Sequence, residues 1–156
     1  MHSPEQLGAL YRQASYEARL PGGARATLRI GKPLPDSLKS WARRDWPLVF
    51  ISACNPASRK LPASENRHRM HALGARLERL RLRRLVGVGR IAHAPWREPS
   101  FLVAGLSLEA ADRMAAEFDQ NAIVIAMNPA SARLRIYRRD WRVRIDNDAD
   151  IMWTGA

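Results

Sequence analysis

Arg69, Arg76, Arg79 and Arg83 recur at spacings of seven, three and four. On a helix these spacings place four guanidinium groups along one continuous stripe. From Arg59 to Arg90, ten basic residues stand against two acids, Glu65 and Glu78. Four cations in line repel one another, and a polyanion laid along them would relieve that repulsion. Arg133 and Arg135 share one face of a later alternating segment, and Arg138, Arg139, Arg142 and Arg144 follow. Read for chemistry, the stripe is an electrostatic footprint for RNA or DNA, ribosomal RNA included. Arg90, Arg133 and Arg135 would assist, and no motif that reads bases accompanies it. A solvated helical face is the plain alternative.

A second constellation is polar. Asn55, Ser58, Glu65 and Asn66 flank the entrance to the long basic helix, Trp96, Glu98 and Ser100 lead into an apolar run, and Gln120 and Asn121 precede another. Loops beside buried strands are where small-molecule sites collect, and helix N-termini favour anions. Glu65 or Glu98 is the general acid/base candidate of such a site, and Trp96 can stack on a base. This set is expected to bind or process a small nucleotide-like or other anionic ligand. Taken singly, each residue also has a structural use: Ser64 caps a helix, Asn55 turns the chain, Glu98 satisfies an arginine and Asn121 closes a helix. A third reading is a regulatory module that binds an acidic protein.

No glycine-rich phosphate loop, nucleophile elbow or zinc-protease helix motif occurs. His68 and His71 lie three apart but have no third ligand nearby, so neither metal nor cofactor is expected. Cys54 is the one cysteine, which excludes an internal disulfide, and a small buried hydrophobe is its ordinary role. The 156 residues carry 26 Lys+Arg against 15 Asp+Glu, a formal charge of +11, and 23 of the 26 are arginine. A GC-rich genome accounts for arginine over lysine, but not for the shortage of acids. No apolar run approaches the roughly 20 residues of a membrane span. The segment Met1–Glu5 shows no secretory signal, so a cytoplasmic protein with no membrane partner is expected. Oligomeric state is not readable.

Hydrophobic periodicity and turn residues give one α+β domain over 1–146, a mixed sheet with flanking helices, and an irregular tail over 147–156. Helices are expected at 4–15, 36–44, 64–82 and from Ser107, and strands at 24–30, 47–53, 85–91, 100–106, 122–127 and 133–138. Asn-Pro-Ala-Ser occurs at 55–58 and again at 128–131, each time after an apolar strand. Asn-Pro as a strand stop explains both better than duplication does.

Several of these segments, in this order, resemble one family. They are Tyr11 with Tyr16, Ser52-Ala53-Cys54-Asn55-Pro56-x-Ser58, Glu65-Asn66, Trp96-x-Glu98-Pro99-Ser100-Phe101 and Phe118-x-Gln120-Asn121-Ala122. The combination, from about Tyr11 to Tyr137, resembles an uncharacterised bacterial family, domain of unknown function 3293. Cys54 stands where an aromatic is common and Asp119 where glycine is common. The resemblance implies a compact bacterial domain in which the Asn55, Glu65-Asn66, Trp96-Glu98 and Gln120-Asn121 segments form a shared polar set. It brings no reaction with it.

Overall fold

A computed structural model describes residues 2–145 and 148–154. Of the expected domain and tail, residues 1, 146, 147, 155 and 156 lie outside the described residues.

The chain begins with helix α1 (Pro4–Gln13), started by a capping box in which Ser3 and Gln6 each bond the other's backbone, with proline in the first turn. Strands β1 (Ser15–Arg19) and β2 (Arg25–Leu28) follow, then α2 (Asp36–Ala42) and β3 (Leu48–Ile51). The long helix α3 (Ala63–Arg79) leads to β4 (Arg84–Arg90) and β5 (Arg97–Ala104). Helix α4 (Leu108–Glu117), capped by the Ser107 hydroxyl, β6 (Ala122–Ala126), β7 (Arg133–Ile136) and β8 (Ile151–Trp153) complete it.

The eight strands form one sheet in the order β2-β1-β4-β5-β3-β6-β7-β8. The ladders are antiparallel except β7–β8, which is parallel, so the sheet is mixed and the domain α+β. Its two faces support separate cores. On one, Tyr16, Leu28, Phe50, Leu102 and Leu134 pack with Leu38 and Ala42 of α2 and with Leu7 and Tyr11 of α1. On the other, Val49, Ile51, Val103 and Ile125 pack with Leu73 and Leu77 of α3 and with Ala111, Met114 and Ala115 of α4. The central strands β3 and β6 are therefore buried on both faces, which is why they read as unbroken apolar runs. No helix among the described residues is long and apolar enough to cross a membrane.

The structure departs from the sequence expectation in four places. Helix α1 ends at Gln13 rather than Ser15, and strand β1 (Ser15–Arg19) stands where no strand is expected, because Ala14 leaves the helical region and hands the chain directly to the sheet. Strand β5 starts at Arg97, ahead of the expected start at residue 100. Ser64 does not cap α3, which starts at Ala63 after Pro62. The tail is not wholly irregular, since Ile151–Trp153 pairs along β7.

Helix α4 is tied to the sheet by charge. Arg135 of β7 makes two 2.7 Å hydrogen bonds to the two Asp112 carboxylate oxygens, and the Tyr137 hydroxyl donates to Oδ1. Burial alone would raise the Asp112 carboxyl, but these hydrogen bonds outweigh it and hold the group below its ordinary value. A depressed carboxyl contributes stability above its unfolded value of 3.8 and loses it as pH falls through the lower folded value. Asp112→Ala should therefore cost about 1–2 kcal/mol at neutral pH, measured by urea unfolding, and the deficit should shrink below pH 3.8.

Candidate functional site

At one end of the sheet a single cross-strand row runs Leu28, Tyr16, Gly89, Glu98 over β2, β1, β4 and β5. The next row on the same face is Ala26, Ala18, Gly87, Ser100. The two glycines of β4 make room. A Cβ on Gly87 would come within 2.8 Å of Phe50, and one on Gly89 within 2.8 Å of the Trp96 ring. The Phe50 ring thus fills the space over Gly87 and meets Tyr16 edge-on at 5.3 Å, while Trp96 lies over Gly89.

Beneath these rings is a cavity of about 30 Å³. Its lining includes Tyr11, Tyr16, Ser52, Trp96, Glu98 and Gln120. It holds one or two waters, or the tip of a small ligand, and lies under the Trp96 indole.

Glu98 is the cavity's ionisable centre. Its carboxylate accepts a 3.2 Å hydrogen bond from Asn55 Nδ2. Burial pushes the carboxyl up from 4.5 to about 7, the Asn55 bond opposing this only in part. The same burial lifts the Tyr11 hydroxyl to about 12 and the Tyr16 hydroxyl well above its ordinary value, so both stay protonated donors. Tyr16 gives its proton to the Tyr11 carbonyl at 2.7 Å, pinning β1 to the end of α1.

Asn55 joins the parts. It sits at a φ of 50°, in the left-handed region that asparagine tolerates better than most residues. Its Oδ1 accepts from the Leu61 N–H at 3.0 Å and from Asn66 Nδ2 at 2.8 Å, while Asn66 Oδ1 accepts from the Asn55 N–H at 2.9 Å. The loop after β3 is thereby fastened to the first turns of α3. Gln120 donates to the Cys54 carbonyl at 3.0 Å and Asn121 to the Ser58 hydroxyl at 2.7 Å, which brings the end of α4 to the same loop. The Ser52 hydroxyl donates to the Pro99 carbonyl and Ser100 to the Glu98 carbonyl. Burial raises the Cys54 thiol, in keeping with a small buried hydrophobe.

The structure thus brings together Asn55, Ser58, Asn66, Trp96, Glu98, Ser100, Gln120 and Asn121. It does not bring in Glu65, which is exposed beside Ser64, His68 and Arg69 in a separate surface hollow. Tyr11, Tyr16 and Ser52 are not in the polar set expected from sequence; Tyr16 sits on β1, a strand that the sequence pattern does not announce. Asp119, at a φ of 51°, makes the left-handed turn before Gln120 without a glycine. The two Asn-Pro-Ala-Ser segments adopt different structures. At 55–58 Asn55, Ala57 and Ser58 all have positive φ, whereas at 128–131 Asn128 Oδ1 caps the Ala130 N–H. Strand termination, not duplication, is what they share.

The arginine stripe is mostly engaged by the protein itself. Arg69 donates Nε to the Ala53 carbonyl at 2.6 Å and Nη2 to the Phe118 carbonyl, turning away from solvent to tie two loops of the polar site. Arg76 pairs with Glu117 at 2.7 Å, and Arg83 pairs with Asp45 at 2.9 Å while stacking on Trp41. Arg79 alone of the four is exposed without an acidic partner among the described residues. Of the assisting residues, Arg135 is held by Asp112, Arg133 bonds the Ala149 and Ile151 carbonyls, and Arg90 faces Glu17 at 3.6 Å. The acids missing from α3 are supplied by α4 and the segment after α2. His68 and His71 are both exposed, and among the described residues no group of three His, Cys, Asp or Glu is placed to hold a metal ion.

Residues 51–123 match the family model described as Protein of unknown function (DUF3293). That span holds Asn55, Asn66, Glu98, Gln120 and Asn121, while Tyr11 and Tyr16 come from outside it. No curated protein and no solved structure matches the chain.

Proposed function

We propose that the DUF3293 segment of this chain, completed by Tyr11 and Tyr16, forms a small-molecule site in which Glu98 exchanges a proton with its ligand near neutral pH. The observation that supports this reading is a buried carboxyl raised to about 7 and facing a cavity. A structural carboxylate gains nothing from such an environment, whereas a group that must be acid in one step and base in another is best placed near the working pH. Protonated, Glu98 donates to a ligand acceptor; ionised, it takes a proton from a ligand donor and becomes the neutral acid.

The cavity also limits the ligand. No cation is among its lining residues, so it offers little to the anionic group expected from sequence. A neutral or protonatable molecule, presenting a few hydrogen-bonding atoms to Glu98 and Gln120, suits it better. About 30 Å³ is too little for a nucleobase unless Trp96 swings off Gly89. Nucleic-acid binding through the α3 stripe draws support from the net charge of +11, but it has lost most of its unpaired arginines.

A panel of small amides, amines, hydroxy compounds and nucleosides at millimolar concentration, read by melting temperature, tests the site. At least one class should raise the melting temperature of the wild type and do so with a pH midpoint near 7, while Glu98→Gln abolishes the pH dependence. A silent panel, or stabilisation that Glu98→Gln leaves untouched, would count against the site.

A further inference from the structure

The face of β2, β1, β4 and the start of β5 opposite the cavity is left open, because α3 and α4 cover the sheet over β3, β6 and the later part of β5. Its charge is lopsided in a way the strand register makes visible. Arg19 stands directly opposite Arg25 across β1–β2, and Arg90 stands directly opposite Arg97 across β4–β5. Arg19, Arg25 and Arg97 are exposed and have no acidic partner among the described residues. Glu17 is the acid on this part of the face, at 3.6 Å from Arg90. Between the two pairs lie Glu17 and Val88, while Val86, 66% exposed, lies further along β4, level with the Arg19–Arg25 pair.

Like charges directly opposite in a ladder destabilise it, and two such pairs on one exposed face are an arrangement that folding alone does not favour. Charge supplied from outside would relieve both. We propose that this face docks the phosphate backbone of a single-stranded nucleic acid, with the Arg19–Arg25 and Arg90–Arg97 pairs as its two anchoring points. Guanidinium groups suit phosphate through paired hydrogen bonds. From strand geometry the two pairs are on the order of 15 Å apart on a diagonal across the sheet. A flexible single strand can follow that diagonal over a twisted face. A duplex, stiff over about 150 base pairs, follows such a diagonal less readily. Phe101, the aromatic ring on this side, is packed against Gly74 of α3 and under Arg84, and the open strands carry valines, so binding runs through phosphates and is indifferent to sequence. This inference is independent of the Glu98 cavity, which opens on the other side of the same strands.

The test is fluorescence anisotropy of the full chain with an oligouridine longer than the roughly 16 nucleotides that a single-strand site spans. Wild type, R19Q/R25Q, R90Q/R97Q and R79Q are compared across a salt series, with circular dichroism and melting temperature as checks on folding. Each double variant should bind about tenfold more weakly near 0.1 M salt. Each should also flatten the plot of log affinity against log salt by about 1.4, or about 0.7 per phosphate contact. R79Q should match the wild type. Folded double variants that bind like the wild type would overturn the proposal, as would an equal loss in R79Q. Tighter binding of duplex RNA, polyglutamate or phosphatidylserine vesicles than of oligouridine would overturn it as well.

Discussion

Glu98→Gln should make the protein more stable above pH 7, by about 3 kcal/mol, while removing the proton-exchanging group of its site. The sign follows from the direction of the shift. A carboxyl whose folded value is raised from 4.5 to about 7 binds a proton in the native state over a range where the unfolded chain has released it. Its contribution is fully present below pH 4.5 and is lost as pH rises through about 7. The change from 4.5 to about 7 corresponds to about 3 kcal/mol. Glutamine keeps the size of the side chain and an acceptor for Asn55, but never becomes a buried charge. Urea unfolding across the pH range should show wild type and variant converging below pH 4.5 and separating up to about 7. Two curves that run parallel would mean that the carboxyl is not raised.

Asn55→Ala should have the largest destabilising effect at the site, about 3–4 kcal/mol at neutral pH. Three side-chain hydrogen bonds disappear, those with Leu61, Asn66 and Glu98, at about 1 kcal/mol each. Alanine also tolerates a φ of 50° less well than asparagine, at a cost of about 1 kcal/mol. Asn55→Gly separates the two contributions, because glycine accepts the backbone conformation but supplies none of the hydrogen bonds, so it should recover about 1 kcal/mol. Both variants also remove the Asn55 bond to Glu98, which lowers that carboxyl. The Glu98 midpoint should therefore climb above 7 in each, an effect that a purely structural loop anchor would not produce. Chemical unfolding gives the first quantity and a carboxyl titration the second.

These expectations rest on residues that sequence reading located unevenly, for physical reasons. The doubly buried strands β3 and β6 and the capped helices α1 and α4 were legible, because unbroken apolar runs and Ser caps are local signals. Strand β1 was not: Ser15-Tyr16-Glu17-Ala18-Arg19 follows α1 without a turn residue, and two of its five positions face the core. Losing β1 meant losing Tyr16 from the cavity. Strand β8 has three residues and exists only through its pairing with β7, a contact that no local pattern announces.

At the site, Asn55, Glu98 and Gln120 stand out as polar residues beside apolar runs, and the family resemblance groups them, but which of them touch depends on register. Glu98 faces the cavity because it stands across from Gly89 and Tyr16, and a slip of one residue would turn it to the Arg97 side. The arginines show the opposite difficulty. Arg69, Arg76 and Arg79 of the stripe do lie on α3, but Arg83 lies past its end, beyond the left-handed Arg81; Glu117 and Asp45, distant in sequence, neutralise Arg76 and Arg83, and Arg69 turns inward to backbone carbonyls. The opposed Arg19–Arg25 and Arg90–Arg97 pairs could not be seen until the strands were paired. Charge counted along a chain says how many cations must be placed; only the fold says which remain bare.

The proposed function requires Glu98 to lie in its cavity as a carboxyl poised near neutral pH, and titration of that group measures this. Carbon-13 NMR of the glutamate side-chain carboxyls, with Glu98→Gln to assign the resonance, follows that single group as pH is raised. A midpoint near 7, moving when a small polar ligand that stabilises the protein is added, is the expected result. A midpoint near 4.5, insensitive to such ligands, would show Glu98 to be an ordinary solvated carboxylate and would contradict the proposed function.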